Sequence, residues 1–114
     1  MIRHVVLLRF KNETSPSRRT ELERDFAGLG SLIDGIEHLE WGVNVSGEGL
    51  EKGFTHCFTL SFAGLAERDA YLPHPLHQQF VGRLQPWVED VLVLDYAPAA
   101  ARAGTCCGSC LEPA

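Results

Sequence analysis

Two prolines bracket a histidine in Tyr71-Leu72-Pro73-His74-Pro75-Leu76-His77-Gln78-Gln79-Phe80, and this corner limits the folds open to the chain. Proline lacks a backbone N–H and its ring collides with the preceding turn, so a helix entering the corner must stop near Leu72. A second helix can begin at Pro75, because a first-turn position needs no donor. Leu76, Phe80, Leu84 and Trp87 then recur at intervals of four and three, the pattern of one helical face against a core. His77 lies at the edge of that stripe, in line with Val81 and Leu84. It is either a satisfied residue bracing the corner or a base facing a cavity.

The flanking patterns supply the rest of the architecture. Ile2, His4, Val6, Leu8 and Phe10 alternate with Arg3, Val5, Leu7 and Arg9, which predicts a strand. Ser15 before Pro16 predicts a helix start, with Leu22, Phe26, Leu29 and Ile33 on its buried face and Asp34-Gly35 at its end. A second strand is expected over 37–46, with Leu39, Trp41, Val43 and Val45 on one side, followed by a polar, glycine-rich surface loop at 47–53. The third strand, 54–62, places Phe54, His56, Phe58, Leu60 and Phe62 on one face. A short helix over 65–71, a helix over 75–88 and a last strand over 91–96 complete the chain. The order β-α-β-β-α-β, its second helix broken, predicts an α+β, ferredoxin-like split βαβ with a four-stranded antiparallel sheet.

In that topology the first and third strands are antiparallel neighbours at the sheet centre. His4 and His56 each stand near the start of their strand, so they belong at opposite ends of the sheet. The third strand finishes beside His4 and leads into the helix bearing Tyr71, so Tyr71 and His77 belong at His4's end. Helices cover one face, that of Phe54, Phe58 and Phe62. The other face keeps Val5, Leu7, Cys57 and Thr59, an apolar surface best buried in a symmetric homodimer.

A chain of 114 residues is one domain. The formal net charge of -5 argues against nucleic acid as a partner. No apolar run approaches the roughly 18 residues that span a bilayer. Strand pattern begins at Met1-Ile2 without a signal peptide, so a cytoplasmic location is expected and the four cysteines read as thiols or metal ligands rather than disulfides. Cys57 fits a buried small hydrophobe at the dimer face. The other three fall in a tail over 98–114, as Cys106-Cys107-Gly108-Ser109-Cys110. They fit a soft-metal site completed from elsewhere, a Cys-x-x-Cys redox pair, or incidental thiols on a flexible segment. The histidines share no zinc-type spacing; His74 and His77 form only an i, i+3 pair at a broken helix. His74, between two prolines, is expected to bond a backbone carbonyl at the bend.

The opening Ile2-Arg3-His4-Val5-Val6-Leu7-Leu8-Arg9-Phe10 resembles the stress-responsive A/B barrel (Dabb) family. So do Gly53-Phe54-Thr55-His56, the corner Tyr71 to His77, and Leu94-Asp95-Tyr96, and the likeness spans residues 1–97. The resemblance implies a ferredoxin-like subunit and a homodimer whose two sheets pack into a barrel. A plant polyketide cyclase of the family closes its substrate by aldol condensation with a histidine base and a tyrosine partner, and those roles map onto His77 and Tyr71. The resemblance also places His4, His56 and Trp87 at a pocket. The chain departs from that cyclase at Phe26 and Phe58, where larger or drier side chains would shrink the cavity. A candidate pocket thus comprises His4, Phe26, His56, Phe58, Phe80 and Trp87 around Tyr71 and His77.

Imidazole suits proton abstraction beside a carbonyl, and a phenol can donate to the enolate oxygen that forms. Three functions are consistent with these residues. The first is a dimer binding a small apolar or carbonyl-containing molecule between helices and sheet, with no cofactor. The second is an aldol-type cyclase or lyase with His77 as base and Tyr71 as donor. The third is a metal or thiol-redox role of Cys106, Cys107 and Cys110.

Overall fold

A computed structural model describes residues 1–99. In chain order the elements are β1 (Ile2–Phe10), α1 (Pro16–Leu32), β2 (Ile36–Val43), β3 (His56–Phe62), α2 (Leu65–Tyr71), α3 (Pro75–Leu84), a 3-10 turn (Gln85–Trp87) and β4 (Val88–Tyr96). The strands form one sheet in the order β2-β3-β1-β4, and every neighbouring pair is antiparallel. This is the ferredoxin-like arrangement predicted from the pattern. Cys106, Cys107 and Cys110 lie outside the described residues.

Ser15 starts α1 as expected: its Oγ accepts from the Arg18 N–H at 3.1 Å, and Pro16 occupies the first turn. From α1, Leu22, Phe26 and Leu29 are buried against the sheet. Gly30 lets the helix sit close to β2, since a Cβ there would stand 3.1 Å from Leu39 Cβ. The core lies between helices and sheet. Val6, Leu8, Phe58, Leu60 and Phe62 rise into it from the strands, and Tyr71 and Phe80 descend from α2 and α3. Phe26 stacks on Phe58 at 4.0 Å between ring centroids and tilts against Phe80 at 4.9 Å.

Several boundaries differ from the sequence reading. Helix α3 ends at Leu84 rather than Val88, because Pro86 cannot donate within a helix; the chain tightens into the 3-10 turn and enters β4 at Val88 instead of residue 91. Strand β3 begins at His56, because Lys52 and Gly53 both adopt positive φ and the Phe54 N–H bonds Glu51 O in a turn. Strand β2 ends at Val43, leaving Val45 in the loop and 96% exposed.

Register fixes what each face carries. Val91, Val93 and Asp95 of β4 pair with Leu8, Val6 and His4, and so share the helix side. Among the described residues no helix covers β4, and Val91 and Val93 stay exposed there. The opposite face shows Val5, Leu7, Cys57 and Thr59 partly buried, with Leu92 and Leu94 exposed beside them. No described helix is long and apolar enough to cross a membrane.

Candidate functional site

The corner between α2 and α3 is built from its own residues. Pro73 cannot continue α2, which leaves the Leu72 carbonyl free of the helix ladder. Two side chains from the next helix take it up: His77 Nδ1 lies 2.9 Å from Leu72 O, and Gln78 Nε2 donates to the same oxygen at 2.7 Å. His74 caps α3, its Nδ1 accepting from the Leu76 N–H at 3.1 Å. Here the structure corrects the sequence expectation. His74 accepts from an amide at a helix start, where donors are in excess, instead of bonding a carbonyl.

A carbonyl only accepts, so His77 Nδ1 carries the proton and the lone pair of the neutral ring sits on Nε2. Burial lowers the proton affinity of His77; the Leu72 bond opposes this, and nearby His4 and His74 add to it. The Tyr71 ring packs against His77 at 4.2 Å between centroids. Tyr71 is 1% exposed, and burial alone pushes its phenol up, so it stays a neutral donor.

These two rings border a cavity of about 470 Å³ between α3 and β4. His4, Phe26, Phe80, Val81 and Val93 line it with them, giving a wall that is mostly apolar. On the β1 side, Asp95 Oδ1 accepts from His4 Nδ1 at 2.8 Å, and Asp95 Oδ2 accepts from Arg68 Nη1 at 2.5 Å. Burial would raise the Asp95 carboxyl, but the bonds from Arg68 and His4 prevail and hold it below its ordinary value. His4 therefore also has its Nδ1 committed to a carboxylate, with Nε2 left for other partners.

The other residues named from sequence lie elsewhere. His56 stands at the far end of the sheet, as topology required. Its Nε2 is 2.6 Å from Glu23 Oε2, its Nδ1 is 2.7 Å from Thr55 Oγ1, and Trp41 stacks beside it. Phe58 is filled over on both sides, by Phe26 at 4.0 Å and Trp41 at 5.3 Å, and does not reach the cavity. Trp87 is drawn into the 3-10 turn, where Arg18 covers its ring at 5.0 Å and its carbonyl accepts from the Lys11 N–H at 2.8 Å. Thus His4, Phe26, Tyr71, His77 and Phe80 meet at one cavity, and His56, Phe58 and Trp87 do not. From the sequence Asp95 enters only as part of the Leu94-Asp95-Tyr96 motif and Arg68 not at all; neither is assigned to the site. The signal for Asp95 was the β1–β4 register that sets it opposite His4. Among the described residues there is no group of three side chains able to hold a metal ion.

Residues 2–98 match the family model described as the Stress responsive A/B Barrel Domain, Dabb. The chain is 35% identical over 99 residues to the stress-response A/B barrel domain-containing protein HS1 of Arabidopsis thaliana, covering 87% of this chain and 91% of that protein. It is 27% identical over 97 residues to olivetolic acid cyclase of Cannabis sativa, covering 85% and 96% respectively. A solved structure, described as a dimeric ferredoxin-like protein of unknown function from Jannaschia sp., superposes with a TM-score of 0.74 at 27% identity, covering 85% of this chain and 98% of that one.

Proposed function

This chain belongs to the stress responsive A/B barrel domain family, and on that footing we propose that it acts as a homodimer binding a small, largely apolar carbonyl compound between α3 and β4. The observation that carries the reading is the cavity of about 470 Å³, apolar along most of its wall, onto which His4, Tyr71 and His77 open. Such a site holds a hydrophobic body by burial and orients one polar group through a few fixed partners. The neutral phenol of Tyr71 is a donor suited to a carbonyl oxygen. Dimerisation is supported by the exposed apolar residues on the bare sheet face, Leu92 and Leu94 among them, and by the dimeric state described for the Jannaschia protein.

A second reading, turnover of the cyclase or lyase type, is favoured by one observation. The Leu72 carbonyl selects the His77 tautomer whose Nε2 bears the lone pair. A base at that atom would take a proton from the carbon next to the carbonyl, and Tyr71 would donate to the enolate oxygen that results. The olivetolic acid cyclase match belongs to this class by name.

The test uses an alkyl aryl ketone as probe, followed by NMR in deuterated buffer. Saturable shifts of Tyr71 and Phe80 signals support the cavity reading, and their absence with a range of ketones sinks it. Deuterium incorporation beside the carbonyl that disappears in His77→Ala, with binding retained, supports turnover. Binding without incorporation leaves a carrier and removes the enzyme reading.

A further inference from the structure

At the end of the sheet away from His77, a second pocket of about 320 Å³ opens between Arg9, near the end of β1, and Arg19 of α1. Asn12, Gly53 and Thr55 line it, together with Glu13 and Glu89. Two guanidinium groups facing one small space repel each other unless an anion lies between them. Among the described residues, no carboxylate oxygen comes within 4.0 Å of either, although Glu13 and Glu89 border the same pocket. Both Nε atoms are shut off from solvent, and neither has an acceptor among the described residues. With the Nε atoms closed off, a ligand in the pocket can reach only the Nη ends of the two forks.

Both arginines are held where they are. The Arg19 guanidinium sits over the Phe10 ring, 5.8 Å from its centroid. Arg9 lies against Gly53, whose φ is +82°, and an added Cβ there would stand 3.1 Å from Arg9 Nη1. Glycine at 53 keeps the room that the fork occupies. The Thr55 hydroxyl, fixed by His56 Nδ1 at 2.7 Å, adds a neutral hydrogen-bonding group to the same wall.

We propose that this pocket binds a small organic acid, its carboxylate held between the forks of Arg9 and Arg19. A planar fork of N–H donors matches a planar pair of oxygens, and a lysine would not do so. Glu13 and Glu89 offset the two cations, so the pocket favours a singly charged carboxylate over a doubly charged phosphate. Glu89 is the one residue lining both this pocket and the His77 cavity. Neither arginine lines the His77 cavity, and neither Tyr71 nor His77 lines this pocket, so the proposal stands or falls separately from the carbonyl-binding reading.

The test follows the Arg9 and Arg19 Nε–H signals by NMR in the full chain, titrated with sodium acetate and separately with inorganic phosphate at constant ionic strength. Acetate shifts both signals saturably and more tightly than phosphate does. In Arg19→Gln the remaining Arg9 signal saturates on the order of tenfold more weakly, one fork of two having been removed. If that variant misfolds, Arg19→Lys retains the stem and charge and still loses the fork, with the same weakening. Shifts that stay linear with both salts overturn the site, and tighter binding of phosphate overturns the carboxylate assignment. Signals that ignore both anions but move when the protein is diluted would assign the pocket to a carboxylate of a second copy, and the proposal would fail.

Discussion

Replacing His77 separates what the corner needs for folding from what a ligand would need. His77 and Gln78 both bond Leu72 O, at 2.9 and 2.7 Å. His77→Ala therefore removes one of two donors without orphaning the carbonyl, at a cost of about 1 kcal/mol. It also removes the ring packed 4.2 Å from Tyr71, an aromatic contact contributing about 1 kcal/mol more. The sum, about 2 kcal/mol, lowers Tm by roughly 10 °C in a domain of this size. His77→Asn restores an N–H close to where Nδ1 stood and should recover about half of the loss. The pH dependence follows from the lowered proton affinity of the folded ring. Below the free imidazole value of 6.5 the unfolded chain binds a proton that the folded chain resists, so wild-type stability falls as pH drops through the lower folded value. Neither variant has this contribution, and their deficit against wild type narrows on acidification. Urea unfolding, followed by tryptophan fluorescence between about pH 7.5 and 5, measures both effects. A deficit that is constant or widens in acid would refute the lowered proton affinity of the buried ring, and an Asn variant no more stable than Ala would refute the assignment of Nδ1–H to Leu72.

Ser15→Ala removes the cap of α1 and should cost about 1 kcal/mol in thermal or urea unfolding, with no change in the position of His77. Leu92→Glu puts a charge on the bare sheet face; light scattering should then report the mass of a single chain where wild type gives two, and an unchanged mass would contradict dimerisation through that face. Asp95→Asn tests the carboxylate shared by His4 and Arg68. The folded Asp95 pKa is depressed, so its contribution is present above the ordinary carboxylate value and lost as pH falls through the folded one. The variant should be least stable relative to wild type near neutrality and nearly equal to it in strong acid, as read from denaturation at both extremes.

Alternation and proline chemistry made most of the fold legible. The spacing of Ile2 to Phe10 and the Ser15-Pro16 start both reappear as read, and the two ends of the sheet carry His4 and His56 as topology demands. Trp87 packs against the core as its spacing predicts, but Pro86 ends the helix before it, and the turn holds it away from the cavity at which the resemblance had placed it. Alternation placed Phe58 on the correct face but says nothing about whether that face is filled, and Phe26 and Trp41 fill it. The cavity itself depends on which side of β4 the helices leave bare. Val91 to Leu94 are apolar on both sides, so no pattern in them distinguishes the two. Asp95 meets His4 across 91 residues of sequence, a pairing that only register reveals.

That same pairing has a consequence for the order in which the domain is made. β1 leaves a ribosome before the other strands of the sheet, yet it lies inside the sheet, between β3 and β4. During synthesis its Val6, Leu8 and Phe10 must wait for β3, and its other edge must wait for β4, the last of the described strands. Tyr71, His77 and Leu72 are near neighbours in sequence and can meet as soon as the corner emerges, whereas the wall formed by His4 and Asp95 closes only at the end. A nascent chain halted between α3 and β4 would therefore display a finished corner beside an open sheet edge, the form in which a folding helper or a second strand would find it.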